Sequence, residues 1–395
     1  MCSGRIGHLA SPPSSSLARL LCCCCRRRRV SAAPSPPSLH SEWRSGARNV
    51  LMSAPNATTL AAASELPNGF RGQGVPLPSD KFIKIGRCAS TGEEITICYN
   101  TAGDPTHPCL LLVMGLGGTG WYWKDEFVQS LVDVGLYVVR YDHRDTGLST
   151  HLDGYPTPFI ARMILPTWAS IGEGVPPYTL YDMASDAWGL LTALGIERAH
   201  VLGSSMGGMI AQCMALQKPE RVKSLTIVFS HSGGPNVKPQ TWRMSLAMLE
   251  KPASPSLEDR VDFKVHLSSL FTGDYPLDEP VARATAHKIL SRCPEDKAGL
   301  LRHIWAVQRA ESREAGLRQL RGIPTLILHG MEDTMVPFEN GLQLARLIDG
   351  SKLVSFARMG HAIPKELYTE IVAEVALQLQ RGEATPPPPC ASPAS

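Results

Sequence analysis

The stretch Gly203-Ser204-Ser205-Met206-Gly207 decides how the rest of the chain is read. A short apolar run, Ala199-His200-Val201-Leu202, leads into it, and a helical pattern, Met209 to Leu216, leads out. The order is strand, sharp turn, helix. In that context the spacing G-x-S-x-G presents a serine at the tip of a strand. Glycines flank the serine because the turn is too tight for a Cβ at either place. The hydroxyl then lies over a helix N-terminus, whose N–H groups and dipole favour a developing negative charge. The same five residues elsewhere would be an ordinary Gly/Ser turn. The strand before and the small-residue helix after select Ser205 as a nucleophile.

Working outward, the pattern repeats strand and helix. Phe82–Ile85 and Ile95–Tyr99 alternate with period two across Ser90-Thr91-Gly92 and predict a hairpin. Cys109 to Met114 is continuously apolar, as in a strand buried on both faces. A helix is expected around 124–134, a strand at Tyr137–Tyr141, a helix over 179–194 and a strand at Lys223–Phe229. Residues 150–179 form a long Pro- and aromatic-containing connection, a length that points to function. From about 231 to 320 the strands stop and apolar residues recur at helical spacing (Trp242, Leu246, Leu249; Leu300, Ile304, Trp305, Val307), which reads as an inserted helical cap. Alternation resumes with strands at Pro324–His329 and Ser351–Phe356 and helices over 339–347 and 365–379. The expected layout is a core at 80–230 and 321–381, a cap at 231–320, and a disordered Pro-rich tail at 382–395. Such alternation means a parallel sheet with helices on both faces, with ligands bound at the C-terminal ends of the strands.

A serine hydroxyl needs a base, and the base needs an orienting acid. In a strand–elbow–helix arrangement the chain order is Ser, acid, His. The acid is sought just after the strand ending at His329, where Glu332 and Asp333 are adjacent and Asp333 is favoured. The base is His361 in Met359-Gly360-His361-Ala362, placed just after a strand. Of 12 histidines it alone combines strand end, preceding glycine and chain order. His143 precedes the nucleophile in an Asp/Arg-rich turn and reads as structural. Two N–H groups should receive the oxyanion: Met206, after the nucleophile, and Leu116, in Gly115-Leu116-Gly117-Gly118-Thr119-Gly120. The acid that ends the next strand, about 20 residues on, belongs to the Asp142 turn, which weighs against a dinucleotide site in that Gly-rich loop. No metal constellation is visible and no cofactor is expected.

These residues together resemble the α/β-hydrolase family over roughly 80–380. The run Tyr141-Asp142-His143-Arg144-Asp145-Thr146-Gly147-Leu148-Ser149 and the elbow Gly203–Gly208 look like the branch containing aclacinomycin methylesterase. The resemblance implies the α/β-hydrolase fold, with a mostly parallel eight-stranded sheet, helices on both faces and an inserted cap. It also implies cofactor-free cleavage of a carboxylic ester by Ser205, Asp333 and His361. Trp121, Trp168 and Trp305, with Trp123 and Trp242, are candidates for an apolar acyl pocket; the alternative is that each is ordinary core. A serine at the elbow argues against dehalogenase or epoxide-hydrolase chemistry, which would place Asp there. Perhydrolase and carbon–carbon hydrolase activities use the same triad and stay open, as does a ligand-binding protein derived from a hydrolase.

Charge is unevenly spread. Residues 1–64 carry eight Arg, no Lys and a single acid, Glu42, so within a chain of net charge +3 the remainder is mildly acidic, about −4. That does not fit nucleic-acid binding. No apolar run reaches the roughly 18 residues of a membrane span. The Ser-, Pro- and Arg-rich segment 1–65 will not bury a core and matches an organelle transit peptide, which would place the protein in a mitochondrion or plastid, and otherwise in the cytoplasm. Two other readings stand: acylated Cys22–Cys25 beside Arg26–Arg29 as a peripheral membrane anchor, or an untargeted leader removed if Met52 is the start. The cysteines of the body (Cys88, Cys98, Cys109, Cys213, Cys293) are scattered, without a C-x-x-C pair, and read as reduced thiols.

Overall fold

The computed structural model describes residues 76–159, 174–293 and 295–388. The leader, with Cys22–Cys25 and Met52, lies outside them, as do Trp168 and the last seven residues of the tail. Eight strands form one sheet in the order β1-β2-β4-β3-β5-β6-β7-β8. They are β1 (Lys81–Arg87), β2 (Glu94–Ala102), β3 (Cys109–Val113), β4 (Tyr137–Tyr141), β5 (Ala199–Ser204), β6 (Val222–Val228), β7 (Thr325–Gly330) and β8 (Lys352–Phe356). β1 pairs antiparallel with β2 and β2 with β4; every pairing from β4 onward is parallel.

β3 shows why a continuous apolar strand suits this position. Leu110 and Leu112 join the core on one face, and Cys109, Leu111 and Val113 that on the other. Side chains alternate across the sheet, so a strand covered on both faces needs apolar residues throughout. One face is covered by α2 (Leu180–Ala193), α3 (Met206–Gln217) and α9 (Phe338–Leu347), through Met183, Ile210 and Leu344. The other carries α1 (Asp125–Asp133) and α10 (Tyr368–Ala384), through Phe127, Leu131, Ile371 and Val375. α2 starts at a reciprocal cap: the Thr179 hydroxyl accepts from the Asp182 N–H, and the Asp182 carboxylate accepts from the Thr179 N–H.

Between β6 and β7 lie α4 (Trp242–Ala247), α5 (Leu257–Ser269), α6 (Glu279–Arg292), α7 (Lys297–Gln308) and α8 (Glu314–Gln319). α5 and α6 share a small core of their own, Val261, Val265, Ala282, Ala286 and Leu290. Buried ion pairs hold this insertion to the sheet. Arg292 on α6 reaches Asp80 at 2.8 Å and Asp142 at 2.8 Å. Arg302 on α7 grips Asp145 with two bonds of 2.7 Å. Desolvating such charges is costly, and the direct bonds to the carboxylates offset it, though not in full for Arg292, which keeps one buried guanidinium nitrogen, Nη1, with no hydrogen-bond partner among the described residues.

The segment expected as one helix over 365–379 differs. A 3₁₀ turn, Lys365–Leu367, follows Pro364, and α10 then runs on to Ala384, taking three residues from the expected tail. The extension has a physical reason. Glu383 accepts from Lys223 at 2.7 Å and meets His200 Nε2 at 3.0 Å, so the last turn is pinned to the sheet.

Candidate active site

The parallel order reverses direction at β3: β4 lies on one side of it and β5 on the other. Crevices of open sheets form at such a switch point, beyond the carboxyl ends of the strands. Ser205 stands there, between the end of β5 and the start of α3, with φ 55° and ψ −121°. A residue with a Cβ adopts this conformation at a cost of about 1–3 kcal/mol. The surroundings enforce it. The Ser205 N–H donates to the Val228 carbonyl at 2.9 Å, and the Ser205 carbonyl accepts from the Ser230 hydroxyl at 2.7 Å and the Gly208 N–H at 2.9 Å. A Cβ on Gly203 would lie 2.2 Å from the Gly207 oxygen, and one on Gly207 2.1 Å from the Val113 oxygen. Both glycines of the motif are therefore required by close backbone approach. Ser205 itself remains half-buried, not sealed.

Asp333 and His361, on the loops after β7 and β8, meet: His361 Nδ1 lies 2.7 Å from Asp333 Oδ2. Glu332 points to solvent, which resolves the choice of partner. The other Asp333 oxygen accepts the N–H groups of Met335 and Val336 at 2.9 and 2.8 Å. Fully bonded on both oxygens, this buried carboxylate has one orientation. Because a carboxylate accepts, His361 Nδ1 is the nitrogen that donates in this bond, and Nε2 is the one turned away from Asp333. Two aromatic rings flank the imidazole, Phe229 at 4.6 Å and Phe271 at 5.9 Å between centroids. Sequence patterns did not mark either. Phe229 has φ 35°, a positive value at a strand end, and Phe271 comes from the insertion just beyond α5.

The Gly-rich loop after β3 lies against the serine. A Cβ on Gly115 would sit 3.2 Å from the Ser205 Cβ. The Gly118 N–H closes a turn onto the Gly115 carbonyl at 3.2 Å, with Leu116 and Gly117 as its central residues. Gly117 has φ 62°, as the third position of such a turn demands. Met206 is the first residue of α3, so its N–H is among those a helix leaves unpaired at its start. His143 is structural, as expected. Its Nε2–H donates to the Met114 carbonyl at 2.8 Å, and burial, with the neighbouring His303, pushes its pKa down to about 3.

The turn 142–145 is a hub whose four side chains reach the Gly-rich loop, α2 and the insertion. Asp142 accepts the Gly120 N–H at 2.9 Å, and Arg144 binds Asp186 of α2 with two bonds of 2.6 Å. His143 holds the Gly-rich loop and Asp145 the insertion.

The family model described as alpha/beta hydrolase fold matches residues 108–366, more than half of the chain. The chain belongs to the α/β-hydrolase family. Within that family it is similar to rhodomycin D methylesterase of Streptomyces peucetius, 28% identical over 305 residues, covering 72% of this chain and 95% of the relative. It is also similar to a 2-hydroxy-6-oxononadienedioate/2-hydroxy-6-oxononatrienedioate hydrolase of Paraburkholderia xenovorans, 26% identical over 292 residues, covering 72% and 89%. The meta-cleavage product hydrolase of Pseudomonas fluorescens shares the fold, with a TM-score of 0.56 and 23% identity, covering 73% of this chain and 95% of that one. Like these relatives, this α/β hydrolase is a hydrolase in the broad sense.

Of the tryptophans named as pocket candidates, Trp121, Trp123 and Trp242 have other surroundings. Trp121 donates its indole N–H to Asp80 at 3.1 Å, and the Arg140 guanidinium lies 3.9 Å from its ring centre, with Lys288 at 4.7 Å. A ring enclosed by cations belongs to the ion-pair network, not to an apolar acyl wall. Trp242 is 69% exposed, which removes it from any buried pocket. Trp123 stacks on Phe127 in the core. Trp305 is buried on α7. One cluster with metal-ligand chemistry, Asp145, His151 and Asp296, lies among the described residues. Arg302 sits within it, 2.7 Å from Asp145 and 3.7 Å from Asp296, and its guanidinium supplies the positive charge there.

Proposed function

We propose that this hydrolase cleaves a carboxylic ester of a small, apolar molecule through an acyl-enzyme on Ser205. The observation that carries the reading is the 2.7 Å His361–Asp333 bond at one end of the sheet where the strained Ser205 also stands. Ser205 Oγ attacks the acyl carbon while His361 Nε2 takes its proton. Asp333 holds the imidazole in the tautomer that exposes Nε2 and stabilises the imidazolium as it forms. The N–H groups of Met206 and Leu116 bind the oxyanion. The alcohol leaves with the proton from His361, and water, activated by the same nitrogen, hydrolyses the acyl-enzyme. The methylesterase relative supports an ester over other bonds, and the helices between β6 and β7 suit a cap that shields the acyl group. The 26% identical relative named for a dienedioate substrate favours one second reading, hydrolysis of a carbon–carbon bond by the same three residues.

The test uses the chain without residues 1–65. A fluorophosphonate probe should label the wild type and not Ser205→Ala, and p-nitrophenyl esters of varied acyl length should then be hydrolysed. Labelling without turnover of any ester, but with turnover of a vinylogous 1,5-diketone, would favour the second reading. A folded wild type that does not label would refute both.

A further inference from the structure

One face of α7 touches the Gly-rich loop beside Ser205. His303 Nδ1 lies 3.4 Å from the Gly117 nitrogen, and its Nε2 lies 2.8 Å from the Arg144 carbonyl oxygen. A carbonyl only accepts, so Nε2 carries the proton and Nδ1 accepts from the Gly117 N–H. The Nδ1 contact needs the neutral ring, and burial disfavours its charged form and lowers its pKa. Leu300, one turn earlier on α7, closes over the same residue: a Cβ on Gly117 would meet its Cδ1 at 2.7 Å. α7 itself is seated deeply, since a Cβ on Gly299 would lie 2.3 Å from the Asp145 oxygen. Arg302, next to His303, locks the helix there by its two bonds to Asp145.

On the far side of the turn, His143 donates to the Met114 carbonyl. Leu116 is thus held between two neutral imidazoles, one gripping the peptide before Gly115 and the other the N–H of Gly117. Rotation of the peptide between Gly115 and Leu116 would re-aim the Leu116 N–H, which the hydrolase reading directs at the oxyanion. Anchors at either side oppose that rotation.

We infer that His303, a residue of the insertion, is a positioning residue that sets the direction of the Leu116 N–H toward the oxyanion. The inference rests on the hydrolase reading above, in which that N–H is one of two oxyanion donors. It makes the insertion a part of the catalytic scaffold as well as a cover: the helices between β6 and β7 reach the reacting atoms through Gly117. A misdirected donor weakens the transition state and leaves ground-state binding unchanged, so the effect belongs in kcat and not in KM.

The two contacts of His303 can be separated. His303→Asn keeps an acceptor near the Nδ1 position and gives up the donor to Arg144. His303→Gln keeps a donor near the Nε2 position and gives up the acceptor for Gly117. The full chain and both variants are assayed with the best p-nitrophenyl ester, for fluorophosphonate labelling rate and for melting temperature. The expected result is a kcat lowered about 10- to 100-fold in His303→Gln, with KM unchanged and labelling slowed in parallel, since loss of one oxyanion donor outright costs about 10²–10³. His303→Asn should stay within severalfold of wild type. Leu300→Ala, which leaves no polar group unpaired, should lower kcat in the same direction. If His303→Gln keeps wild-type kcat, or if Asn loses activity while Gln retains it, the positioning role is overturned and His303 serves Arg144 alone. A wild type that neither labels nor turns over esters overturns the hydrolase reading and this inference together.

Discussion

Replacing Ser205 by two different residues separates backbone strain from chemistry. Alanine removes the hydroxyl and keeps the Cβ, so φ 55° remains as unfavourable as before. Glycine removes both and adopts that conformation freely. The strain is about 1–3 kcal/mol. Against it stands the greater freedom of glycine in the unfolded chain, about 0.5–1 kcal/mol. Ser205→Gly should therefore be more stable than Ser205→Ala by about 1 kcal/mol, which raises Tm by about 2 °C in a domain of this size. Both variants should fail to label with fluorophosphonate, so function cannot explain the difference. Thermal unfolding by circular dichroism at neutral pH, with the two variants in parallel, measures it. Neither substitution disturbs the bonds of the Ser205 N–H and carbonyl to Val228 and Ser230, which are backbone contacts on the Ser205 side. A glycine variant that melts at or below the alanine variant would refute the claim that the elbow stores strain. It would mean that the hydrogen bonds at the turn make this conformation the local minimum even with a Cβ.

Further outcomes follow from the same geometry. Asp333→Asn should keep the fold and lower kcat by about 10³–10⁴-fold, as loss of the orienting carboxylate favours the wrong imidazole tautomer, whereas Glu332→Gln should leave steady-state rates near wild type. Gly207→Ala would place a methyl group 2.1 Å from the Val113 oxygen and should abolish soluble expression or cost well over 3 kcal/mol in urea unfolding. Arg302→Met leaves the Asp145 carboxylate buried with Tyr178 as a remaining partner and should destabilise by about 3–5 kcal/mol, with Arg302→Met/Asp145→Asn recovering part of the loss in a double-mutant cycle. Burial lowers the pKa of His143 and of His231 to about 3, the neighbouring His303 and Arg313 adding to it. A depressed folded-state value means the unfolded chain binds more protons as pH falls below about 6.5, so each histidine takes away about 1.4 kcal/mol per pH unit from there down toward pH 3. Urea midpoints measured from pH 7 to 4 should fall, and His143→Asn should flatten the slope.

Fold class and the places where chemistry could sit follow from local patterns in the chain. Period-two and continuous apolar runs are local properties, so the strands at 109–113, 137–141, 199–204 and 325–330 were legible without coordinates. The elbow is local too: five residues carry both the turn and its glycines. The extent of α10 was not, because its last turn depends on Glu383 meeting Lys223 and His200 from distant strands. Only the tertiary structure brought Asp333 to His361, 28 positions apart, and turned Glu332 outward. Nothing in the spacing of Trp121 announced the cations around it, and nothing in His303, one of 12 histidines, announced Gly117. His303 and Gly117 are 186 positions apart, so such contacts are settled by how helices seat on the sheet. Periodicity records which face of an element is buried; it carries no record of which neighbour that face will meet.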